Sequence, residues 1–401
     1  MNLDQTLRAE LAALEKAHLR RTLRVIDPLS SKLLNFAAND YLGLSRHPAL
    51  IEAARRAIAD RGAGAGASRL VTGTGPMMLQ LEEELASWKE KEAALVFTSG
   101  YAAALGTVPA LVGRGDTIIL DKLAHACLID AARLSGASVR TFAHNDMRRL
   151  ETLLQKISGG KARTLIVTES IFSMDGDAAP LGKIVELKDR HGAWLLVDEA
   201  HATGLYGVTG AGLIAEMGLS ARVEIVMGTL SKALGSAGGY IAGSRVLIDW
   251  LINRARSFVY STAPPPGIVA AGRAAVALAR GMEGVALRAR LRENIAHFRS
   301  GLPAPWKNRN AASGAIQPLM CGEASAALQL ANALREKGFL IPPIRYPTVP
   351  RHGARLRVTL SAAHAKKEID ALNRALVKVS VIPNVDESKS VFEHTVNPSR
   401  S

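Results

Sequence analysis

Two features of this sequence predict an α/β fold, with a mostly parallel central sheet, helices on both of its faces and a smaller C-terminal α/β unit. The first is rhythm. Short β-branched runs alternate with helical windows between about residues 93 and 243, the pattern of repeated strand–helix–strand units. The second is hydrophobicity without long apolar runs. Of the 401 residues, 48% are hydrophobic, enough for a sheet buried on both faces. No run of 18 or more uncharged apolar residues is present to span a membrane.

The opening residues 3–24 read as an amphipathic helix, because Leu3, Leu7, Leu11 and Leu14 recur at spacings of three and four. Asp27-Pro28 closes it. Acids run through this start and it lacks an apolar centre, so it is not a secretion signal. Strands are expected at 93–99, 116–121, 138–143, 164–169, 193–199, 224–229 and 238–243. "STAPPPG" (261–267) interrupts the alternation, and an Ala- and Arg-rich helical stretch follows to about residue 300. The remainder, "GAIQPLMC", a helix near 323–338, "GFLIPPIRYP", "ARLRVTL" and a helix near 365–379, reads as a smaller α/β unit. The expected division is an N-terminal helical segment (1–35), a large domain (36–280), a small domain (281–380) and a mobile tail (381–401).

Composition narrows the function classes. Two cysteines, Cys127 and Cys321, cannot build a disulfide framework and suit a reducing cytoplasm. The net charge of +14 is spread along the chain, with no long basic run and no interleaved aromatics. It suits a phosphorylated cofactor or an acidic substrate as well as nucleic acid. "DEAH" (198–201) invites a helicase reading, but no G-x-x-x-x-G-K-[ST] loop accompanies it. The G-x-G-x-x-A runs at 62–67 and 210–215 do not join a strand to a helix as a dinucleotide site requires. G-x-S-x-G and zinc-ligand spacings are absent from the sequence.

What remains is a set of polar residues at the carboxyl ends of the expected strands, where open α/β sheets hold ligands. Asp198 ends the apolar run "LLVD", with His201 three residues on. Ser99-Gly100-Tyr101 opens a helix whose free N–H groups can cradle phosphate. "TESIFSMDGD" (168–177) ends a strand in hydroxyls and acids. His125 follows another strand. Lys232 lies in "MGTLSKALGSAGG", where nearly every neighbour is small. An anion cradle, a strand-end acid, a flat ring and a secluded lysine are the parts required by pyridoxal 5′-phosphate (PLP), whose aldehyde a lysine binds as a Schiff base.

The ordered motifs "NDYLGLS" (39–45), "GAGASRLVTG" (64–73), "LVFTSGYAA" (95–103), "AHACL" (124–128), "ESIFSMDGD" (169–177), "VDEAHATG" (197–204), "GTLSKALG" (228–235) and "ARLRVTLSAAH" (354–364) resemble the α-oxoamine synthases. These are fold type I, aspartate aminotransferase-like, PLP-dependent transferases. The resemblance runs from about residue 20 to 380 and implies a decarboxylative acyl transfer to an amino acid. Lys232 would bind the cofactor and move the Cα proton. Asp198 would pair with the pyridine nitrogen, His201 and Ser173 with the ring oxygen, and His125 would stack on the ring. Gly100, Tyr101 and Thr229 would take the phosphate, joined by Thr262 from a partner subunit, so a homodimer is implied. Tyr101 stands where Phe is common in the family. Asn39 and Arg357 would hold the amino-acid carboxylate, and Arg21 the far carboxylate of the acyl group, with Arg20 and Arg24 equally available. The substrates most strongly implied are L-alanine and a pimeloyl thioester of CoA or acyl carrier protein. Glycine with acetyl-CoA is the alternative within the family, and a non-catalytic nucleic-acid binder the alternative outside it.

Overall fold

A computed structural model describes residues 2–23, 25–27, 31–157, 162–307, 312 and 314–380. In chain order its strands are β1 (Leu34–Asn35), β2 (Ala93–Phe97), β3 (Thr117–Asp121), β4 (Ser138–Phe142), β5 (Thr164–Glu169), β6 (Trp194–Asp198), β7 (Ile225–Thr229), β8 (Gly239–Gly243), β9 (Ile316–Gly322), β10 (Phe339–Leu340), β11 (Pro343–Ile344) and β12 (Ala354–Thr359).

The seven strands expected from the alternation form one sheet in the order β2-β8-β7-β6-β5-β3-β4. All neighbours are parallel except β8, which runs antiparallel to both β2 and β7. Helices cover both faces, so two apolar clusters form, one on each side. Consequently β2, β7 and β8 are buried at every position, with no polar–apolar alternation. The edge strand β4 departs from this: Ser138–Thr141 are exposed, and Arg140 discourages pairing with another chain.

The sheet order decides where a ligand fits. The connection leaving β3 goes outward to β4, while the one leaving β5 goes the other way to β6. Such a reversal opens a crevice at the carboxyl ends of β3 and β5. His125, Glu169, Asp198 and Thr229 lie at or just past the ends of β3, β5, β6 and β7.

The smaller unit is a three-stranded antiparallel sheet, β11-β12-β9. The chain's start joins it: β1 pairs in parallel with β10, and Phe36 O accepts from Thr359 N at 2.9 Å. This pairing aims residues 39–41 at the crevice.

One helical expectation needs correction. The N-terminal helix spans Leu3–Lys16 and does not continue to 24. His18 turns to positive φ, and its carbonyl accepts from Arg345, while Arg21 donates to Thr348 at 2.9 Å, so bonds to a distant segment replace helical ones. No residue of this helix is buried, and Leu3, Leu7, Leu11 and Leu14 are exposed. Arg24 and Pro28 lie outside the described residues, as does the tail from 381. The helical stretch ending at residue 300 is two helices, Pro266–Arg280 and Met282–Ser300. They separate at Gly281, and Gly284 packs so closely that a Cβ there would lie 2.2 Å from Ala279 O.

Candidate active site

Lys232 sits on a tight connection between β7 and β8. Leu230 N and Ser236 N bond Gly238 O and Leu230 O, each at 2.9 Å, and Gly235 N bonds Lys232 O. Gly235 has φ +61°, and a Cβ there would lie 2.3 Å from Ser45 N, so this loop is pressed against residues 44–45. The small residues around Lys232 are what permit that packing.

The Lys232 ammonium lies 2.9 Å from His201 Nε2. Burial lowers the Lys232 pKa below the ordinary lysine value, with Asp198 and Glu169 opposing the shift and Arg357 reinforcing it. Burial also holds His201 well below its usual value, with the charges of Lys232, Arg357 and His125 adding to the effect. His201 is therefore a neutral ring, able to accept at one nitrogen and donate at the other.

Asp198 and Glu169 end adjacent parallel strands and are register partners. Both are nearly inaccessible. Burial raises the Asp198 pKa against the pull of Lys232, and burial with the Asp198 charge raises Glu169 well above the carboxylate range. Ala200 N donates to Asp198 Oδ1 at 2.8 Å, whereas Glu169 Oε1 has no hydrogen-bond partner among the described residues. His125 caps the helix Ala126–Ser135, with Cys127 N 3.2 Å from its Nδ1. Burial lowers its pKa, Asp198 opposes that shift and Lys232 adds to it, which brings the ring into this cluster.

A second group meets the first from the smaller unit. Arg357, on β12, is 4% exposed; its Nε donates to Ser173 O at 2.7 Å, and its Nη1 to Asn39 Oδ1 at 2.9 Å and Thr359 Oγ1 at 3.1 Å. Its Nη2 is buried with no acceptor among the described residues. An unpaired guanidinium nitrogen in a buried site is costly, and a carboxylate is the acceptor its geometry suits.

The third group lies where the helix Gly100–Leu111 begins. Ser99 Oγ accepts from Ala102 N at 3.0 Å, leaving the Gly100 and Tyr101 amides without an acceptor among the described residues. A Cβ on Gly239 would come within 2.5 Å of Gly100 N, so glycine there keeps the amide open. Thr229 is 4% exposed, and its hydroxyl donates to Gly238 O at 2.7 Å beside Ser231 Oγ. Open helix-start amides, a secluded amine, buried strand-end acids and an unpaired guanidinium nitrogen suit a ligand with a phosphate, an electrophilic carbon and a ring nitrogen.

Lys232, His201, Asn39, Arg357 and Ser173 are joined by hydrogen bonds, and Asp198 and His125 by charge. Arg21 and Thr262 are not joined to this group: Arg21 is exposed and bonds Thr348, and Thr262 is exposed and bridges Ser68. The residue patterns did not single out two buried members, Tyr41 and Glu169. Tyr41 stands two positions after Asn39 in "NDYLGLS", and Glu169 ends its strand just as Asp198 does, so each carried a signal of its own. No group of three or more His, Cys, Asp or Glu among the described residues could hold a metal. No described helix is long and apolar enough to cross a membrane.

Residues 31–376 match the family model of class I and II aminotransferases. An 8-amino-7-oxononanoate synthase from Methylobacterium nodulans is 47% identical over 383 residues, covering 94% of this chain and 96% of that protein. One from Geobacter sulfurreducens is 43% identical, covering 94% and 98%. Among solved structures, a serine palmitoyltransferase variant from S. paucimobilis with bound PLP and myriocin superimposes with a TM-score of 0.87 at 26% identity, covering 95% of this chain and 98% of that one. The 8-amino-7-oxononanoate synthase of Francisella tularensis gives 0.72 at 29% identity, covering 87% and 98%. The chain belongs to the class I and II aminotransferase family and, within it, to the 8-amino-7-oxononanoate synthase group of α-oxoamine synthases.

Proposed function

We propose that this chain condenses L-alanine with a pimeloyl thioester, of CoA or of acyl carrier protein, in biotin biosynthesis. The alanine Cα–H bond breaks, the Cα–acyl bond forms as the thioester C–S bond breaks, the alanine carboxylate leaves as CO2 and a proton takes its place on Cα, giving 8-amino-7-oxononanoate and the free thiol. The observation that carries this reading is one buried side-chain cluster that joins a lysine amine of lowered pKa to an arginine nitrogen with no acceptor among the described residues.

When bound, PLP supplies an aldehyde for an amine and a ring that withdraws electrons from the neighbouring carbon. Asp198 would hold the ring nitrogen, and its burial beside Glu169 favours a shared proton there. Gly100 and Tyr101 amides and the Thr229–Ser231 hydroxyls would take the phosphate. His201 and Ser173 would face the ring oxygen, and His125 the ring. Arg357 and Asn39 bind the alanine carboxylate, which fixes Cα near Lys232. Lys232 Nζ, with its pKa lowered by burial, accepts the Cα proton. Orientation by these residues supplies much of the rate.

Thr262 would complete the phosphate site of a second copy, so the active form in this reading is a homodimer; Val71, Tyr260 and Thr262 are exposed and available for that contact. Arg21 would meet the distal carboxylate of the acyl chain, and the enzyme would act in the cytoplasm. The domain division at 35, 280 and 380 is part of the same reading, with alanine held between the large and small domains.

The test is absorbance followed by turnover. The purified protein with PLP develops a visible imine band, lost in Lys232→Ala. With pimeloyl-CoA, L-alanine releases CoA faster than glycine does with acetyl-CoA. Faster turnover of the glycine and acetyl-CoA pair overturns the substrate assignment, and an unimpaired Lys232→Ala overturns the mechanism.

A further inference from the structure

Tyr41 is wholly buried, and its hydroxyl stands between the two halves of the site. It lies 2.6 Å from His201 Nδ1 and 3.2 Å from Asn39 Oδ1. Asn39 Oδ1 also accepts from Arg357 Nη1, and His201 Nε2 faces the Lys232 ammonium. A continuous polar chain therefore runs Arg357–Asn39–Tyr41–His201–Lys232. Burial raises the Tyr41 pKa, although Arg357 opposes it, so the phenol keeps its proton.

A phenol has one proton to give, and here two acceptors compete for it. When Tyr41 donates to Asn39 Oδ1, it accepts from His201 Nδ1–H, which leaves Nε2 as an acceptor facing Lys232. When Tyr41 donates to His201 Nδ1, the ring carries its proton on Nε2, and Asn39 Oδ1 keeps only the Arg357 bond. A carboxylate on the open Nη2 of Arg357 would draw on the guanidinium that holds Asn39 and acts on the Tyr41 phenol, and so would alter which acceptor Tyr41 favours.

We propose that Tyr41 is a positioning residue: by sharing its proton between Asn39 and His201, it couples occupation of the Arg357 carboxylate site to the histidine that faces Lys232. The inference rests on the proposed function, in which Arg357 binds the amino-acid carboxylate and Lys232 binds the cofactor. The groups that face Lys232 are His201, Asp198, Glu169, Arg357 and Cys127, and each acts on it across space whether or not Tyr41 has its oxygen.

The experiment compares the PLP-loaded wild type with Tyr41→Phe, which keeps the ring and removes only the oxygen. The midpoint pH of the imine absorbance is measured with and without saturating propionate, a carboxylate with no amine. Direct action of the carboxylate charge is common to both proteins, so the difference between them isolates the coupling through Tyr41. The expected result is a midpoint shift in the wild type that is at least halved in Tyr41→Phe, with kcat lowered about tenfold or more and the KM for alanine changed less than kcat. No propionate shift in the wild type, or equal shifts in the two proteins, overturns the coupling. A role in packing alone predicts that Phe leaves both the midpoint and kcat unchanged, which also overturns it. Absence of any imine band in the wild type would instead refute the proposed function.

Discussion

Arg357→Lys tests the carboxylate site most directly, because it keeps the charge and removes the fork. In the native site the guanidinium is anchored by bonds to Ser173 O, Asn39 Oδ1 and Thr359 Oγ1, and only Nη2 is open. A lysine ammonium has one nitrogen and cannot both reproduce those anchors and face a ligand. The loss is then one charge-assisted hydrogen bond to the alanine carboxylate, about 1.5–3 kcal/mol. At about 1.4 kcal/mol per tenfold, the KM for alanine rises roughly 10- to 150-fold. The retained charge leaves the midpoint of the imine absorbance near its wild-type value. Arg357→Ala, by contrast, removes a like charge from beside Lys232 and moves that midpoint upward. Steady-state kinetics with alanine and an absorbance titration measure both quantities. A KM within threefold of wild type in Arg357→Lys, with the protein folded, would show that Nη2 does not meet the substrate.

Three further outcomes follow from other contacts. Lys89 and Glu199 form an ion pair at 2.9 Å, both nearly inaccessible, so Glu199→Gln leaves the buried cation with neutral acceptors only, Thr203 Oγ1 and Ala211 O, and destabilises the protein by about 3–5 kcal/mol in denaturant unfolding; a loss below about 1 kcal/mol contradicts this. His144 bonds Asp121 and Asp177, and although burial pulls its pKa down, these partners push it up to about 10. Its stabilising contribution is therefore complete below the unfolded pKa of about 6.5 and is lost as pH rises through 10. Unfolding midpoints for the wild type and His144→Gln should converge between pH 7 and 10.5, and a constant gap refutes the argument. Gly239→Ala puts a Cβ within 2.5 Å of the Gly100 amide, so spectrophotometric titration should show PLP bound about tenfold or more weakly; unchanged affinity would place the phosphate elsewhere.

Each observed strand of the large sheet falls within the run that marked it; the inner strands were legible because burial on both faces leaves near-continuous apolar runs, whereas the exposed edge strand β4 was marked only by its β-branched Val139 and Thr141. Lys232 and Asp198 were legible for a related reason: a charge next to such a run, among small or apolar neighbours, needs a purpose. The N-terminal helix was legible as a helix but not in its length, because the leucine spacing covers residues 3–14 and carries no signal for where the helix stops, which is at Lys16 and not at 24. Its end was set by Arg345 and Thr348, more than 320 residues away in sequence.

The sequence by itself determined the strands, the family and the residues proposed to form a PLP site, because these depend on local periodicity and on motif order. Tertiary structure decided which of them meet. The strand order β3-β5-β6 brings His125 and Glu169 beside Asp198, and the pairing of β1 with β10 together with the bonds of Phe36 O and Tyr41 O to Thr359 N and Ala362 N carries Asn39 and Tyr41 to Arg357. Tyr41 shows the limit most clearly. Its hydroxyl gains its role from His201, 160 positions along the chain, and no pattern within a single segment encodes a contact at that distance.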